Sequence, residues 1–244
     1  MSAGGSSSVN KAEIAQFDAL AARWWDPSGP MRPLHAMNPV RAGWILQRID
    51  RQFGTRDVRL LDVGCGAGLL SETLAKAGCD VLGLDAGAEV IAAAQAHAAG
   101  QGLRLAYEAG AAEDLHHSRH KYDVITALEV IEHVEYPGAF VRTLSQLLAP
   151  GGLLFISTLN RTAASYATAK LGAEYLLRLL PVGTHDWNKF VTPQELAALT
   201  AAAGLRLADI AGMSFAMRGG FKITRDTSSN YIAMARSADG DGGK

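Results

Sequence analysis

Residues 61–68, Leu61-Asp62-Val63-Gly64-Cys65-Gly66-Ala67-Gly68, close a short apolar run that begins at Val58. An apolar run of this length bounded by glycine reads as a strand buried on both faces. Glycines at every second position permit positive φ and let a ligand approach where a Cβ would clash. A helical pattern, Ala67–Ala77, follows at once, so the motif is a strand–turn–helix junction. The dinucleotide fingerprint G-x-G-x-x-G would need its third glycine at Leu69, so hydride transfer with a nicotinamide cofactor fails the spacing. No Gly-Lys-Ser/Thr follows, which excludes a P-loop.

The same rhythm continues downstream. Val81–Leu84 is apolar, Ala88–Ala99 helical, Leu103–Tyr107 strand-like, Tyr122–Ala127 apolar, Ala139–Leu148 helical and Leu153–Thr158 rich in β-formers. Strands alternating with short helices predict right-handed βαβ units around a parallel sheet. Thr192-Pro193-Gln194-Glu195 is a capping box with proline at the first helical position, opening a helix that stops at Gly204. Leu205–Met213 and Asn230–Ala235 are expected to pair as antiparallel strands at one sheet edge. Upstream, Asn10 precedes a helical pattern with Ile14, Phe17, Ala21 and Trp24 on one face. Pro27, Pro30 and Pro33 are expected to break it into an extended connector reaching Asn38-Pro39, before a second helix carrying Arg41, Trp44, Ile45 and Ile49. The domain reading is one α/β domain over residues 10–236. It carries an N-terminal helical cap at 10–57 and an insertion at 160–190, between tails 1–9 and 237–244 of disordered composition.

Of 244 residues, 48% are hydrophobic and 19% charged, and 23 Lys and Arg balance 24 Asp and Glu. That balance argues against nucleic acid as a partner, because phosphate-backbone binding needs an excess of cations. Two cysteines, Cys65 and Cys79, exclude a disulfide-built secreted scaffold and read as reduced. The start has neither a positive end nor an apolar stretch, so it is no signal peptide. The charge-free run Thr143–Asn160 is cut by Pro150-Gly151-Gly152 and is not a spanning helix. A soluble, cytoplasmic protein is expected.

Asp85 ends the second apolar run, where a carboxylate can accept two hydrogen bonds from a ribose diol; the alternative is a solvated turn residue. Together with the glycine turn it resembles the class I S-adenosylmethionine-dependent methyltransferases, whose first strand ends in D-x-G-x-G-x-G and whose second supplies the ribose-binding acid. The turn Pro150-Gly151-Gly152 is also similar. The resemblance covers about residues 58–236. It implies a Rossmann-like domain with a mostly parallel seven-stranded sheet and an antiparallel edge strand. It also implies S-adenosylmethionine as cofactor, with Asp62, Gly64, Cys65, Gly66, Gly68 and Asp85 around it. Ala67 replaces a glycine often found in relatives.

Further segments narrow the family. Phe17-Asp18, Arg23-Trp24-Trp25-Asp26, Pro33-Leu34-His35 and Asn38-Pro39-Val40-Arg41 resemble the ubiquinone-biosynthesis O-methyltransferases. So do Ser157-Thr158-Leu159-Asn160-Arg161, Gly172-Ala173-Glu174-Tyr175 and Gly183-Thr184-His185-Asp186, which extends the resemblance from Glu13 to Arg236. It implies methylation of phenolic hydroxyls on polyprenylated catechol and demethylubiquinol rings, and places Arg41, Gly64, Asp85 and Leu128 along the cofactor. The planar fork of Arg41 suits a methionyl carboxylate; the alternative is a surface salt bridge.

Glu129-Val130-Ile131-Glu132-His133 follows the strand Tyr122–Ala127. If helical, positions i, i+3 and i+4 share one face and both carboxylates meet the imidazole. Two carboxylates favour a hard cation such as Mg²⁺, for which imidazole is a less usual ligand. The family carries a matching E-x-x-E-H, implicated there in divalent-metal binding, so Glu129, Glu132 and His133 are candidate metal ligands. A phenol ionises near pH ~10, and a cation bridging ring oxygens would lower that value. His133 could instead take the proton as general base, which makes His133 and Glu132 the catalytic candidates. The alternative is a capped, solvated helix start with acids at its positive end.

In the 160–190 insertion, Lys170, Glu174 and Arg178 share one helical face while Tyr166, Ala173, Leu176, Leu177 and Leu180 form an apolar one. This reads as a core or lid helix, or as a lid that dips into the inner face of the cytoplasmic membrane through residues 162–180 to collect a lipid-like substrate. A ubiquinone-biosynthesis complex is a further partner raised by the resemblance. His116, His117 and His120 read as a solvated loop rather than a metal cluster, and Trp24, Trp25 and Trp44 as core or lid packing. Methylation of another small phenol, and a non-catalytic cofactor-binding subunit, are the competing readings.

Overall fold

The computed structural model describes residues 11–117, 120–162, 187–215 and 220–237. Eight strands form one sheet: β1 (Arg59–Val63), β2 (Asp80–Asp85), β3 (Leu105–Ala109), β4 (Tyr122–Leu128), β5 (Leu148–Leu159), β6 (Leu205–Phe215), β7 (Phe221–Thr224) and β8 (Asn230–Ser237). Their order is β3-β2-β1-β4-β5-β8-β6-β7. The first five pair in parallel, and β8 runs antiparallel to both β5 and β6. The expected pairing of 205–213 with 230–235 is therefore present. The four-residue β7, one strand beyond the seven expected, takes the edge itself. The strand order reverses between β1 and β4, which opens a ligand crevice outside their carboxyl ends.

Period-two alternation distributes the core to both faces. Leu61, Val63, Ile125, Ala127, Leu154 and Ile156 pack on one face against Phe140 and Leu144 of α5 (Pro137–Leu147) and Leu196 of α6 (Pro193–Ala202). Leu60, Val124, Leu153 and Phe155 face the other way, against Ile45 and Ile49 of α2 (Arg32–Phe53) and Leu70 and Leu74 of α3 (Leu69–Lys76). Near-continuous burial of β1 and β4 follows from this double cover. Pro150-Gly151-Gly152, expected as a turn before β5, lies inside it. Gly151 has φ +76°, and the register with β4 shifts between Tyr122 and Val124, so the segment forms a bulge.

The N-terminal segment departs from expectation in two places. The first helix, α1 (Lys11–Asp18), stops early and is followed by a 3-10 turn at Ala21–Arg23. Its Asp18 turns outward to α4 (Ala88–Ala98), where Oδ1 accepts the Glu89 and Val90 amides at 3.1 and 3.2 Å. The helix-start residue of α4, Gly87, has no side chain to do this. A distant carboxylate thus satisfies donors that every helix start leaves open. The proline-rich connector is shorter than expected. α2 begins at Arg32, with Pro33 in the first turn where its missing N–H costs nothing, and runs straight through Pro39. Tertiary packing outweighs the lost bond. Met37, Asn38, Arg41 and Trp44 are buried on this helix, and Asn38 Nδ2 donates to the Leu69 carbonyl and to Thr73 Oγ1, both at 2.9 Å.

Cys65 and Cys79 are buried free thiols, and burial pushes the Cys79 thiol up to about 11. No helix among the described residues is long and apolar enough to cross a membrane. The expected lid helix, the 162–180 membrane element beyond Thr162, and His185-Asp186 lie outside the described residues.

The capping box of α6 is complete: the Glu195 amide donates to Thr192 Oγ1 at 3.2 Å and the Thr192 amide to Glu195 Oε2 at 2.8 Å. Thr192→Ala should lower stability by about 1 kcal/mol, read as a shift of the urea midpoint at constant slope.

Candidate active site

The glycine turn leaves β1 bent toward β2. The amides of Gly64 and Cys65 both donate to the Leu84 carbonyl, at 2.7 and 3.1 Å. Gly66 donates to Asp85 Oδ2 and Gly87 to Asp85 Oδ1, each at 2.9 Å. Gly64 has φ +69°, and a Cβ there would sit 2.3 Å from Val130 Cγ2. Gly66 has φ +54°, and its missing Cβ leaves room for the Trp24 ring, also 2.3 Å away. Only glycine satisfies both demands.

The turn opens into a cavity of about 390 Å³. Arg41, Asp62, Gly64, Cys65, Gly66, Asp85 and Leu128 all line it, as do Glu129, Glu132 and His133. Gly68 does not: in the left-handed conformation at φ +89° it starts α3 behind the cavity. Asp62 is buried, its two oxygens accepting from Ser71 Oγ and Thr126 Oγ1 at 2.6 Å each. Burial pushes its carboxyl up, against the pull of these hydroxyls and Arg41. Burial also raises Asp85, while the Gly87 and Gly66 amides pull it back. Each Asp85 oxygen keeps a second lone pair for a diol.

Arg41 is 5% exposed, and neither its Nε nor its Nη1 has a hydrogen-bond partner. Burial presses this guanidinium downward, and Glu129 and Asp62 only partly offset it. The surface salt-bridge alternative is thereby overturned. An unpaired buried cation is costly unless an anion completes it, and a carboxylate reaching the cavity would do so. A ligand with a carboxylate and a vicinal diol, the chemistry of S-adenosylmethionine, fits these walls.

The acidic segment is not the helix that the i, i+3, i+4 argument required. Glu129 adopts φ +57°, the only positive φ among the described non-glycine residues. Residues 131–133 then form a turn, and α5 begins only at Pro137. Glu129 donates its amide to the Ser157 carbonyl at 3.0 Å and accepts from Ser157 Oγ at 2.8 Å. Glu132, 4% exposed, accepts from Thr158 Oγ1 at 2.9 Å. Its burial, and next the Glu129 carboxylate beside it, hold its carboxyl well above the usual range. The solvated helix start is excluded as well. His133 lines the cavity with its ring 5.9 Å from Phe17, edge to face. It does not join the two acids in a metal site: no group of three His, Cys, Asp or Glu among the described residues could hold an ion. The turn, which replaces the helical phase, is the reason. Glu129 and Glu132 by themselves remain a two-carboxylate set of the kind Mg²⁺ accepts when substrate and water complete its shell. His120 is exposed, and the side chains of His116 and His117 lie outside the described residues.

Sequence reasoning read residues 10–57 as a cap and Trp24 as core or lid packing, but it did not assign the other roof residues or one wall to a cavity. Phe17, Leu20, Trp24, Met31 and Met37 of the N-terminal segment close it, and Gly110–Glu113 after β3 line it. The latter were discoverable, since loops at strand carboxyl ends near the switch point face the ligand. The roof carried only an apolar signal indistinguishable from core.

A family model described as a methyltransferase domain matches residues 35–210. The chain is 47% identical to the ubiquinone biosynthesis O-methyltransferase of Azorhizobium caulinodans, with 94% of each chain covered. It is 46% identical to the protein of that name from Parvibaculum lavamentivorans, with 95% of each covered. Among solved structures, the CcbJ methyltransferase from Streptomyces caelestis aligns with a TM-score of 0.66 at 17% identity, covering 93% of this chain and 99% of that one. The magnesium protoporphyrin IX methyltransferase of Synechocystis PCC 6803, with bound SAH, aligns at 0.57 and 21% identity, covering 96% and 90%. These two likenesses speak to the fold alone.

Arg41→Lys keeps the charge and loses the fork. It should weaken binding of S-adenosylhomocysteine by roughly ten-fold or more, as expected for losing one charged hydrogen bond of about 1.5–3 kcal/mol, measured by calorimetry. For Glu132 the pH dependence has a definite sign. Between its ordinary value of 4.5 and its raised folded value, the native state holds a proton that the unfolded chain has released. Its stabilising contribution is full below that ordinary value and is lost as pH rises toward the folded one. Glu132→Gln removes this slope, so the stability of the variant relative to wild type should increase as pH rises above 4.5, followed by urea unfolding.

Proposed function

The chain belongs to the ubiquinone biosynthesis O-methyltransferases, and on that premise we propose that it methylates phenolic hydroxyls of polyprenylated catechol and demethylubiquinol rings. The observation carrying the reading is that the buried guanidinium of Arg41, lacking partners at Nε and Nη1, shares a cavity with the glycine turn, Asp85 and His133. Arg41 would take the methionyl carboxylate and Asp85 the ribose diol, which aims the sulfonium methyl toward the acid-bearing turn. Trp24, Phe17 and Leu20 exclude water from that path. His133 accepts the phenol proton, the phenolate oxygen forms a bond to the methyl carbon, and the carbon–sulfur bond breaks with its electron pair passing to sulfur. S-adenosylhomocysteine and the methyl ether leave, and His133 returns its proton to solvent. Most of the acceleration then comes from positioning and from forming the better nucleophile.

A divalent cation, Mg²⁺ by the family resemblance, would be held by Glu129 and Glu132 and would supply a lowered phenol pKa. Peripheral contact of residues 162–180 with the inner face of the cytoplasmic membrane belongs to the same proposal, supported by the apolar stripe Tyr166, Ala173, Leu176, Leu177 and Leu180 and by the apolar tail of the substrate. A partnership with other enzymes of the pathway rests on the family resemblance alone.

The test is methyl transfer from labelled S-adenosylmethionine to a short-prenyl catechol, with and without Mg²⁺ after chelation. Product is expected, and His133→Asn should lower kcat by about 10²–10⁴-fold with cofactor affinity unchanged. Loss of product on chelation assigns Glu129 and Glu132 to the cation; product without metal leaves His133 as the activating group. Tight cofactor binding with no product on any phenol would favour the non-catalytic subunit.

A further inference from the structure

A second cavity, of about 960 Å³, lies against the first and shares Glu132, His133 and Val134 with it. Its other described walls include Ile131, Pro137, Phe190, Val191, Ala198 and Leu199. Ile131, Phe190 and Val191 are 0%, 2% and 6% exposed, so the floor is apolar. The charged groups stand further out. Arg161 and Glu195 are ion-paired with side chains 29% and 44% exposed, and Lys189 is exposed. A volume of this size is that of a small-molecule pocket rather than a packing defect. Nothing in the methyl-transfer chemistry above uses it.

We infer that this second cavity receives the apolar tail of the acceptor, while the phenolic ring rests at the shared Glu132–Val134 turn with its hydroxyl toward His133. The inference rests on the phenol-methylating reading and adds the place of the tail. The geometry argues for it in two ways. The acceptor oxygen must reach both the cofactor methyl and His133, and among the described residues only the shared turn borders both cavities. The first cavity is roofed by Trp24, Phe17 and Leu20 and walled by the cofactor-binding groups, so a tail attached to a ring at His133 has its apolar room on the other side. An acceptor without a tail would leave Pro137, Ala198 and Leu199, which are half-buried or exposed, open to water.

α6 supplies the means of testing this. Ala198 is exposed on the cavity wall, so a large side chain there fills the cavity without entering the core. With Ala198→Trp, the KM for a farnesyl-tailed catechol should rise at least ten-fold. The kcat/KM for the tailless catechol and the affinity for S-adenosylhomocysteine should stay at wild-type values. Leu199→Ala, which widens the same wall, should shift the preference toward longer tails, and it keeps the question answerable if the tryptophan variant fails to fold. Equal effects on tailed and tailless acceptors, or wild-type KM values that do not depend on the tail, would overturn the placement of the tail. Wild-type protein that methylates neither catechol would instead overturn the acceptor class.

Discussion

Asp85 accepts the amide of Gly66 with one carboxylate oxygen and that of Gly87 with the other, and the Leu84 carbonyl beside it takes the amides of Gly64 and Cys65. Four backbone donors at the ends of β1 and β2 are thereby satisfied by one residue and its neighbour. Buried amides left without partners would cost more than the turn could return. The bracing fixes the glycine turn in a conformation that side chains rarely adopt, and it leaves the second lone pairs of Asp85 free to meet a ligand. The cavity, its roof and the acidic turn opposite are arranged around this point.

The roof depends on the turn in turn. Trp24 occupies the space that a side chain on Gly66 would fill, and Trp25 Nε1 donates to the Ala67 carbonyl at 3.0 Å. The Trp25 ring stacks on His97 of α4 with centroids 3.4 Å apart, and His97 Nδ1 meets the buried carboxylate of Glu72 at 2.5 Å. With Asp18 capping α4 as well, the N-terminal segment is tied to the two helices that follow the glycine turn and the Asp85 turn. Apolar cover over a site where a cation and several carboxylates converge has a clear consequence: excluding water strengthens each charge interaction within.

On the opposite wall, the left-handed backbone at Glu129 has a chemical effect. It turns the chain so that Glu129 and Glu132 reach the adjacent hydroxyls of Ser157 and Thr158, and it leaves His133 directed toward Phe17 and the cavity. Strain of this kind is commonly kept at functional sites.

The sequence by itself determined the α/β architecture, the glycine turn and Asp85, because these rest on local periods and on residues whose conformational demands are unique. It also pointed to Arg41, though burial decided that this residue is an unpaired cation in a cavity rather than a surface ion pair. Tertiary structure alone decided the rest. Local rules broke the chain at Pro39, yet α2 passes through it because Asn38 and its buried neighbours gain more against α3 than one backbone bond is worth. Local spacing made Glu129, Glu132 and His133 a helical trio, yet bonds to Ser157 and Thr158 on β5 bend that segment into a turn. The roof and the second cavity arise from segments far apart in the chain. Periodicity reports which side of an element is apolar, but the partner that covers it is chosen only when the elements pack.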